Sequence, residues 1–213
     1  MPENTRPLNI SVPQTLDFLL SRRSGSAKAM KGPGPSASEL DTILAAGVRV
    51  PDHGKLAPWR FIVFEGEGRR RMGEVLASVI AGERDVSPER IAQERERFMR
   101  APVVVGVVSR VREQIPIPMW EQQLSAGAVC MSIVIAAHAA GYVANWITEW
   151  CAYHPAVQER IGLKPTERIA GFIYIGRPAD PLEDRPRPDI HTITTRFYRG
   201  MRKAAKAAGI SWY

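Results

Sequence analysis

The chain has 213 residues, of which 45% are hydrophobic and 24% are charged, so we expect one globular domain with a sizeable core. Its only two cysteines, Cys130 and Cys151, do not suggest a disulfide framework; they favour reduced thiols and a cytoplasmic location. The N-terminal residues have no long apolar run behind a basic start, so no secretory signal peptide is predicted.

The formal net charge of +7 is concentrated near one end of the chain. Five basic residues and no acidic residue follow Asp189, so most of the excess charge belongs to residues 190–213. A basic groove across the whole domain is therefore not indicated, and we predict no nucleic-acid partner. The tail alone motivates the alternative of nucleic-acid binding, and packing of the tail on a partner copy would explain its composition as well.

The first predicted helix covers residues 13–23 and carries three leucines on one face. A loop rich in Gly, Pro and Ser is predicted at 25–37. Ser36 with Glu39 three residues later is a capping-box pattern, which predicts the start of a second helix. That helix is expected to end near Gly47.

The middle of the chain alternates between strand and helix patterns. A strand is predicted at Trp59–Glu65, followed by two charged helical stretches at about 69–81 and 88–99. The apolar run at 102–111 barely alternates, which indicates a strand buried on both faces. A long apolar helix follows at 121–140. Its most apolar part is short for a bilayer, which takes about 20 residues, so we predict a core helix and no membrane partner.

The last third of the predicted domain begins at Gly141, a natural C-cap for the long helix. A short strand at 142–147, a small helix starting at Pro155 and a strand at 168–176 complete the predicted elements. The chain is proline-rich and irregular from there to residue 189.

Helices and strands alternate without regular βαβ spacing, and no G-x-G-x-x-G motif follows a strand. We therefore predict an α+β fold with a central mixed, mainly antiparallel sheet flanked by helices, and not a Rossmann fold. The expected organisation is one domain over residues 14–189 and a basic C-terminal tail over residues 190–213.

Arg22-Arg23-Ser24 stands at the end of the first predicted helix. Helix C-termini present carbonyl oxygens and the negative end of the dipole, so the backbone there does not hold an anion. Two guanidinium groups and a hydroxyl reverse that local sign and offer donors that match a phosphate. The alternative from spacing alone is that the arginines only complement the helix dipole.

The loop from Arg49 to Trp59 places an Arg, an Asp, a His and a Lys within seven residues. Loops of this kind on rigid supports often hold ligands. The alternative is a solvated connector whose Trp59 anchors the following strand.

No set of His, Cys, Asp and Glu residues has metal-ligand spacing, so no metal site is predicted. His138 lies within the long apolar helix, and we interpret it as a satisfied core or interface histidine. Cys130 in the same helix is expected to be buried and inert.

Four segments in the expected order resemble the nitroreductase family, most closely its YdjA-like subgroup. They are RRS at 22–24, RVPDHGKLAPWRFIVFEGEGR at 49–69, the segment 118–146 and GFIYIGRP at 171–178. The resemblance covers most of residues 14–178. It implies a nitroreductase-like fold, an intertwined homodimer and two FMN molecules at the subunit interface.

The resemblance also implies roles for individual residues. Arg22, Arg23 and Ser24 would bind the flavin phosphate and ribityl region, while Arg49 would reach the flavin held mainly by the partner subunit. Further flavin contacts would come from His53, Trp146, Ile147 and Thr148. A stretch suggested to meet the nicotinamide nucleotide would comprise Ala136, Ala137, His138, Ala139, Ala140 and Gly141.

The implied activity is ping-pong hydride transfer by an FMN-dependent oxidoreductase, from NADH or NADPH to nitroaromatic or quinone-like acceptors. Three positions depart from the family pattern. Ser26 stands where many members have a basic residue, with Lys28 nearby as a candidate substitute; Ile147 replaces a frequent arginine and Ala57 a frequent glutamine. The first two departures motivate an alternative, a flavin-binding sensor or carrier without efficient reductase turnover.

Overall fold

The computed structural model describes residues 8–197, without the side chain of Ala29. In this range the helices are α1 Pro13–Ser21, α2 Ala37–Gly47, α3 Glu67–Ile80, α4 Pro88–Arg95, α5 Met119–Ala139 and α6 Pro155–Arg160. The strands are β1 Met30–Lys31, β2 Trp59–Glu65, β3 Val103–Arg110, β4 Val143–Ile147 and β5 Glu167–Pro178. Short 3-10 helices occupy Ala27–Ala29, His53–Lys55, Arg97–Arg100, Trp150–Ala152 and Ile190–Thr192. The predicted α+β class is confirmed.

The five strands form one sheet in the order β1-β5-β3-β2, and β4 also pairs with β5. The long strand β5 is the hub, because it pairs with β1, β3 and β4. Within residues 8–197 every pairing is antiparallel, so no parallel pair of the kind implied by a mixed sheet occurs there.

The sheet is buried on both faces, as the apolar run at 102–111 predicts. Val104 and Val108 of β3 face one hydrophobic cluster, together with Phe98 and Phe172. Val105 and Val107 face a second cluster, which contains residues of α2 and α5. Side chains alternate between the two faces of a strand, so continuous apolar sequence is needed to fill both clusters.

Helix α5 covers one face of the sheet and packs against α2, β3, β4 and β5. In the described range it is the one helix long and apolar enough, by length and composition, to cross a membrane. Val129, Ile133 and Ala137 are fully buried against the sheet, which accounts for the apolar character of that face of the helix. The prediction of a core helix is confirmed.

The helix ends follow their sequence signals. The Ser36 hydroxyl accepts from the Glu39 amide at 3.4 Å, and the Glu39 carboxylate accepts from the Ser36 amide at 2.8 Å. This is the predicted capping box, and it starts α2 where the pattern placed it. At the end of α5, Gly141 has φ +83°, the left-handed conformation that a C-cap glycine adopts.

Two predictions in this part of the chain were incomplete. The predicted loop at 25–37 contains a 3-10 turn and the strand β1, which pairs with Arg177 and Pro178 of β5. A two-residue strand has no periodicity for a sequence pattern to show. The predicted helix at 88–99 ends at Arg95 and continues as the 3-10 turn Arg97–Arg100.

Helix α1 differs from the other long helices because none of its residues is buried. Leu16 and Leu20, on its predicted apolar face, are 64% and 84% exposed. A surface helix normally buries such a face against the core of its own domain. Within residues 8–197, no part of the chain therefore covers the apolar face of α1.

By its contacts the chain divides into residues 1–182 and 183–213. In the second unit, Asp184 pairs with Arg187 at 2.8 Å, and the Asp189 carboxylate accepts from the His191 amide at 2.9 Å. The predicted domain boundary at 189/190 runs through this unit. Residues 198–213 of the predicted tail lie outside the described residues.

Candidate functional site

The Arg-Arg-Ser segment begins where α1 ends. Arg22 is the C-cap and leaves the helix with φ −59° and ψ 139°, while its amide still bonds to the Phe18 carbonyl at 2.8 Å. Its Nη2 donates to the Ser24 hydroxyl at 3.4 Å, and Arg23 Nη1 donates to the Ser24 carbonyl at 3.4 Å. All three residues are half-buried. Several donors are thus grouped within one extended turn.

The Arg-Arg-Ser segment continues into Gly25, which packs against strand β4. Gly25 is buried against Val143, and a Cβ at that glycine would lie 3.0 Å from Val143 Cγ2. The Asn145 side-chain amide donates to the Gly25 carbonyl at 2.5 Å. The structure therefore brings the 22–25 segment and the 143–148 segment together. Asn145 was not predicted from the sequence, in which its position beside Trp146 is the one signal for it.

Trp146 lies across β5 and is 40% exposed. The register of β5 against β3 shifts at Ala170, a β-bulge, and the Ala170 carbonyl accepts from Trp146 Nε1 at 3.1 Å. The next residue is Gly171, where a Cβ would lie only 2.0 Å from the same Nε1. The bulge and the missing side chain of Gly171 thus make room for the indole ring. Bulges are frequent beside functional sites.

The other two predicted residues of this segment have different surroundings. Ile147 is half-buried and packs against the first hydrophobic cluster. Thr148 is half-buried and leads into Glu149, which has φ +58°, a backbone conformation that favours glycine. The Glu149 carboxylate accepts hydrogen bonds from Arg97 and, at 3.0 Å, from Arg100. These ion pairs hold the strained turn after β4 in place.

A cavity of about 590 Å³ is lined in part by residues that follow the 22–25 segment and the 143–148 segment in the chain. Lys28, four residues after the Arg-Arg-Ser segment, and Glu149, directly after Thr148, both line it. Arg90, Arg97 and Arg100 add three guanidinium groups, so basic lining residues outnumber the acidic ones, which are Glu96 and Glu149. Arg90 and Arg97 pair with Glu94, and Arg97 and Arg100 pair with Glu149, so the cavity is a polar chamber whose arginines, which were not predicted from the sequence, are held in ion pairs.

The loop after α2 is a structured turn. The Asp52 carboxylate accepts from the Leu56 amide at 3.1 Å and from the Ala57 amide at 2.8 Å. Gly54, Lys55 and Ala57 have φ of +70°, +54° and +43°, so the carboxylate stabilises a tight left-handed backbone. Asp52 therefore has a structural role, because its carboxylate stabilises an ordered conformation of this loop.

His53 and Arg49 project from this loop and are exposed. His53 Nδ1 lies 2.7 Å from a carboxylate oxygen of Glu121, near the start of α5. The pair borders a second cavity of about 320 Å³, whose walls are formed mainly by apolar groups such as Leu124. Ser125 at the base of this cavity links the loop to Trp59, since its hydroxyl donates to the Pro51 carbonyl at 2.7 Å and accepts from Trp59 Nε1 at 3.1 Å.

The predicted site residues divide into two groups within one chain. His53 contacts Glu121 near the start of α5, whereas Arg22 contacts His138 near its end. The helix rises about 1.5 Å per residue, so these two contact points are about 25 Å apart. One chain therefore brings the 22–25 segment against β4 but leaves His53 at a distance.

The predicted nucleotide stretch at the end of α5 is only partly accessible. Ala137 is fully buried in the second hydrophobic cluster, so its side chain is not accessible to a ligand in this chain. Ala136 and His138 are half-buried, and the three residues that follow, 139–141, are exposed. Among the described residues no group of His, Cys, Asp or Glu could hold a metal ion.

This geometry defines a class of protein: an α+β domain with an antiparallel sheet, an Arg-Arg-Ser turn held against one of its strands, and a polar chamber lined by arginines. The model of the Nitroreductase family matches residues 19–177. The chain is 39% identical over 165 residues to the protein named "Putative NAD(P)H nitroreductase YdjA" of Escherichia coli (strain K12). That alignment covers 76% of this chain and 87% of the relative.

Solved structures agree with the assignment. A nitroreductase-like family protein from Bacillus cereus superposes with a TM-score of 0.75 at 20% identity, covering 88% of this chain and 98% of that one. A nitroreductase described in complex with FMN, from Desulfovibrio desulfuricans, superposes with a TM-score of 0.66 at 22% identity, covering 89% and 99%. The chain belongs to the nitroreductase family and has its fold, which confirms the resemblance seen in the sequence.

Proposed function

We propose that the protein is an FMN-dependent oxidoreductase that takes hydride from NADH or NADPH and passes it to a nitroaromatic or quinone-like acceptor. The observation that carries the proposal is the assembly of Arg22, Arg23 and Ser24 against the strand that leads to Trp146. Support also comes from the family, whose Escherichia coli relative is named as an NAD(P)H nitroreductase and whose Desulfovibrio desulfuricans structure holds FMN.

The donor set suits a phosphorylated flavin. Guanidinium groups at the Arg-Arg-Ser segment match a phosphate in charge and in geometry. Trp146, which follows Asn145 in β4, offers an exposed apolar surface for a ring system. Bound FMN would supply the hydride-transfer chemistry, and the chain's residues would position it and exclude water.

Lys28, in the lining of the polar chamber, supports turnover as well as binding. Positive groups placed where negative charge develops lower the barrier to hydride uptake by a flavin. Lys28 and Arg100 line the chamber, so Lys28 supplies a cation close to the position where Ser26 departs from the family pattern. This arrangement favours the reductase over a flavin-binding sensor or carrier without turnover.

A homodimer with FMN at the subunit interface is part of the proposal. The separation of about 25 Å along α5 between the contacts of His53 and Arg22 favours a site in which the partner subunit supplies His53. The family resemblance gives Arg49 the same role. The uncovered face of α1, with Leu16 and Leu20 exposed, is a surface that a second copy would bury. We also propose a cytoplasmic location, where both nicotinamide nucleotides are available.

Purification of the recombinant protein tests the cofactor and the turnover together. We expect a yellow protein with a flavin spectrum that NADH or NADPH bleaches and a nitroaromatic compound restores in a second step. The ping-pong order predicts parallel lines in double-reciprocal plots. A yellow protein that neither nucleotide bleaches would favour the sensor or carrier, and failure to bind added FMN would refute both functions.

The double variant Arg22→Ala/Arg23→Ala tests the phosphate site. FMN affinity is expected to fall strongly while the protein stays folded, because half-exposed arginines contribute little to folding stability. Equilibrium titration with FMN and thermal unfolding measure the two effects separately. Unchanged FMN affinity in this variant would contradict the assigned role.

Arg49→Ala tests whether the site is shared between subunits. This variant alone should bind FMN more weakly, because the partner subunit's contribution to each site is lost. Mixing it with the Arg22/Arg23 double variant under conditions that exchange subunits should restore some intact sites. Recovery of activity in the mixture is the measurement, and no recovery despite verified subunit exchange would count against a shared site.

A further inference from the structure

His138 receives hydrogen-bond donors at both nitrogens of its ring. The backbone N–H of Ala144 donates to Nε2 at 2.9 Å, and Arg22 Nε–H points at Nδ1 from 3.4 Å. A neutral imidazole accepts at only one nitrogen, because the other carries the hydrogen, and an imidazolium accepts at neither. Both neighbours are N–H donors, so at most one of the two contacts can be a hydrogen bond.

The contact with Ala144 is the one that the fold fixes. Ala144 lies in β4, where its pairing with Ile175 of β5 sets the position of the backbone. Its contact is also the shorter of the two. The Ala144 carbonyl lies farther from the same nitrogen, at 3.3 Å. The arrangement is thus best satisfied with Nε2 as acceptor and the hydrogen on Nδ1.

The protonation of the ring agrees with this assignment. Burial lowers the pKa of His138, and the nearby positive charge of Arg22 lowers it further, against a raising effect of the Ala144 carbonyl. The ring is therefore neutral near pH 7, with a single hydrogen to place. With Nε2 occupied by the strand, that hydrogen lies on the side that faces Arg22.

Two donors, His138 Nδ1–H and Arg22 Nε–H, then point into the same space at the edge of the Arg-Arg-Ser turn. An oxygen atom between the two groups would accept a hydrogen bond from each of them, and an anionic oxygen would accept the strongest ones. Ser24 belongs to the same turn through its contact with Arg22 Nη2. We propose that His138 is a phosphate-binding residue of the flavin site, donating Nδ1–H to the same phosphate oxygen as Arg22.

This role differs from a contact with the nicotinamide nucleotide and from a satisfied core histidine. His138 joins three parts of the site: the last turn of α5, the outer edge of β4 and the Arg-Arg-Ser segment. The bond to Ala144 fixes the ring plane, and the ring plane aims the Nδ1–H. The inference rests on the proposed function, since it takes the anion at Arg22 to be the flavin phosphate.

Comparison of FMN with riboflavin isolates the phosphate contact, because the two ligands differ only in that group. In His138→Gln the side-chain oxygen can still accept from the Ala144 amide, but no donor remains at the Nδ1 position. We expect FMN affinity to fall about tenfold or more, the usual effect of losing a charge-assisted hydrogen bond. Riboflavin affinity and the thermal midpoint should stay close to wild type.

His154→Gln is the matched control. His154 is also half-buried and lies 3.4 Å from Glu83, but it has no contact with the Arg-Arg-Ser segment. This variant should leave both flavin affinities unchanged. In addition, nitrogen NMR of the wild-type protein with FMN should show the hydrogen of His138 on Nδ1.

The outcomes separate the inference from the function on which it rests. If wild type does not prefer FMN over riboflavin, both the phosphate site and the role of His138 are wrong. If Arg22→Ala removes the preference and His138→Gln keeps it, only the role of His138 is overturned. An equal loss of FMN and riboflavin affinity in His138→Gln would show a merely structural role, and a hydrogen on Nε2 would also overturn the proposal.

Discussion

Gly171→Ala tests how tightly the Trp146 ring is held. The added Cβ would lie 2.0 Å from Trp146 Nε1 and 2.3 Å from Cδ1, closer than any real contact. The backbone of Gly171 lies outside the left-handed region, so strain in φ does not contribute. The ring has to move away from β5, which breaks its hydrogen bond to the Ala170 carbonyl. The cost is therefore overpacking plus one lost hydrogen bond.

Overpacking of a well-packed site costs about 1–3 kcal/mol, and a hydrogen bond contributes about 1 kcal/mol. For a chain of this size, 1 kcal/mol lowers the thermal midpoint by about 2–4 °C. Urea unfolding gives the loss of free energy, and FMN titration gives the effect on the site. We expect a loss of about 2–4 kcal/mol together with weaker FMN binding, because the displaced ring no longer offers the same surface.

Gly68→Ala is the matched control for this experiment. Gly68 lies within α3, and a Cβ there would have no atom within 4 Å. Alanine is the better helix former by up to about 1 kcal/mol, so this variant should be as stable as wild type or slightly more stable. Equal stability of Gly171→Ala and wild type would refute the packing argument. A destabilised Gly171→Ala with unchanged FMN affinity would instead remove Trp146 from the flavin site.

Two charge variants test the folding of the domain. The hydrogen bonds from Arg60 hold the pKa of Glu167 at about 2, below its ordinary 4.5, so this carboxylate stabilises the fold above pH 4.5 and loses that effect as the pH falls toward 2. In urea unfolding, Glu167→Gln should be less stable than wild type at neutral pH, and the difference should shrink over that range. Glu94→Ala leaves the buried Arg97 with Glu149 as its remaining acidic partner. We expect a loss of about 3 kcal/mol, the low end for breaking a buried ion pair, and a loss below 1 kcal/mol would contradict it.

The sequence predicted those features of the fold that depend on local chemistry. The capping box at Ser36 and the C-cap at Gly141 satisfy helix ends with neighbouring residues, so their patterns can be read directly. The strand at 102–111 was predictable as buried on both faces because both of its faces need apolar side chains. Strand β1 was not predictable, since it exists only through pairing with residues almost 150 positions later.

The candidate site could also be predicted only in part, because some of its contacts join residues far apart in the sequence. The Arg-Arg-Ser segment and the residues around Trp146 were predicted from the family resemblance, and the fold brings the two segments together. The contacts that join them, from Asn145 to Gly25 and from His138 to Arg22, link residues more than 100 positions apart. Single residues at such separations leave no periodic signal. The interpretation of His138 as a satisfied core or interface histidine could not include its contact with Arg22 for this reason.

Helix α5 explains why the site needs both local and distant residues. Its buried face fixes it on the sheet, so the Glu121 and His138 contact points lie a constant distance apart. The carbonyl end of this helix, near His138, is electrically unfavourable for an anion. Strand β4 holds the segment of Arg22 against this helix end, where Arg22 contacts His138. The proposed phosphate site therefore depends on the tertiary fold, because its arginines have to offset the dipole of a helix that is distant from them in the sequence.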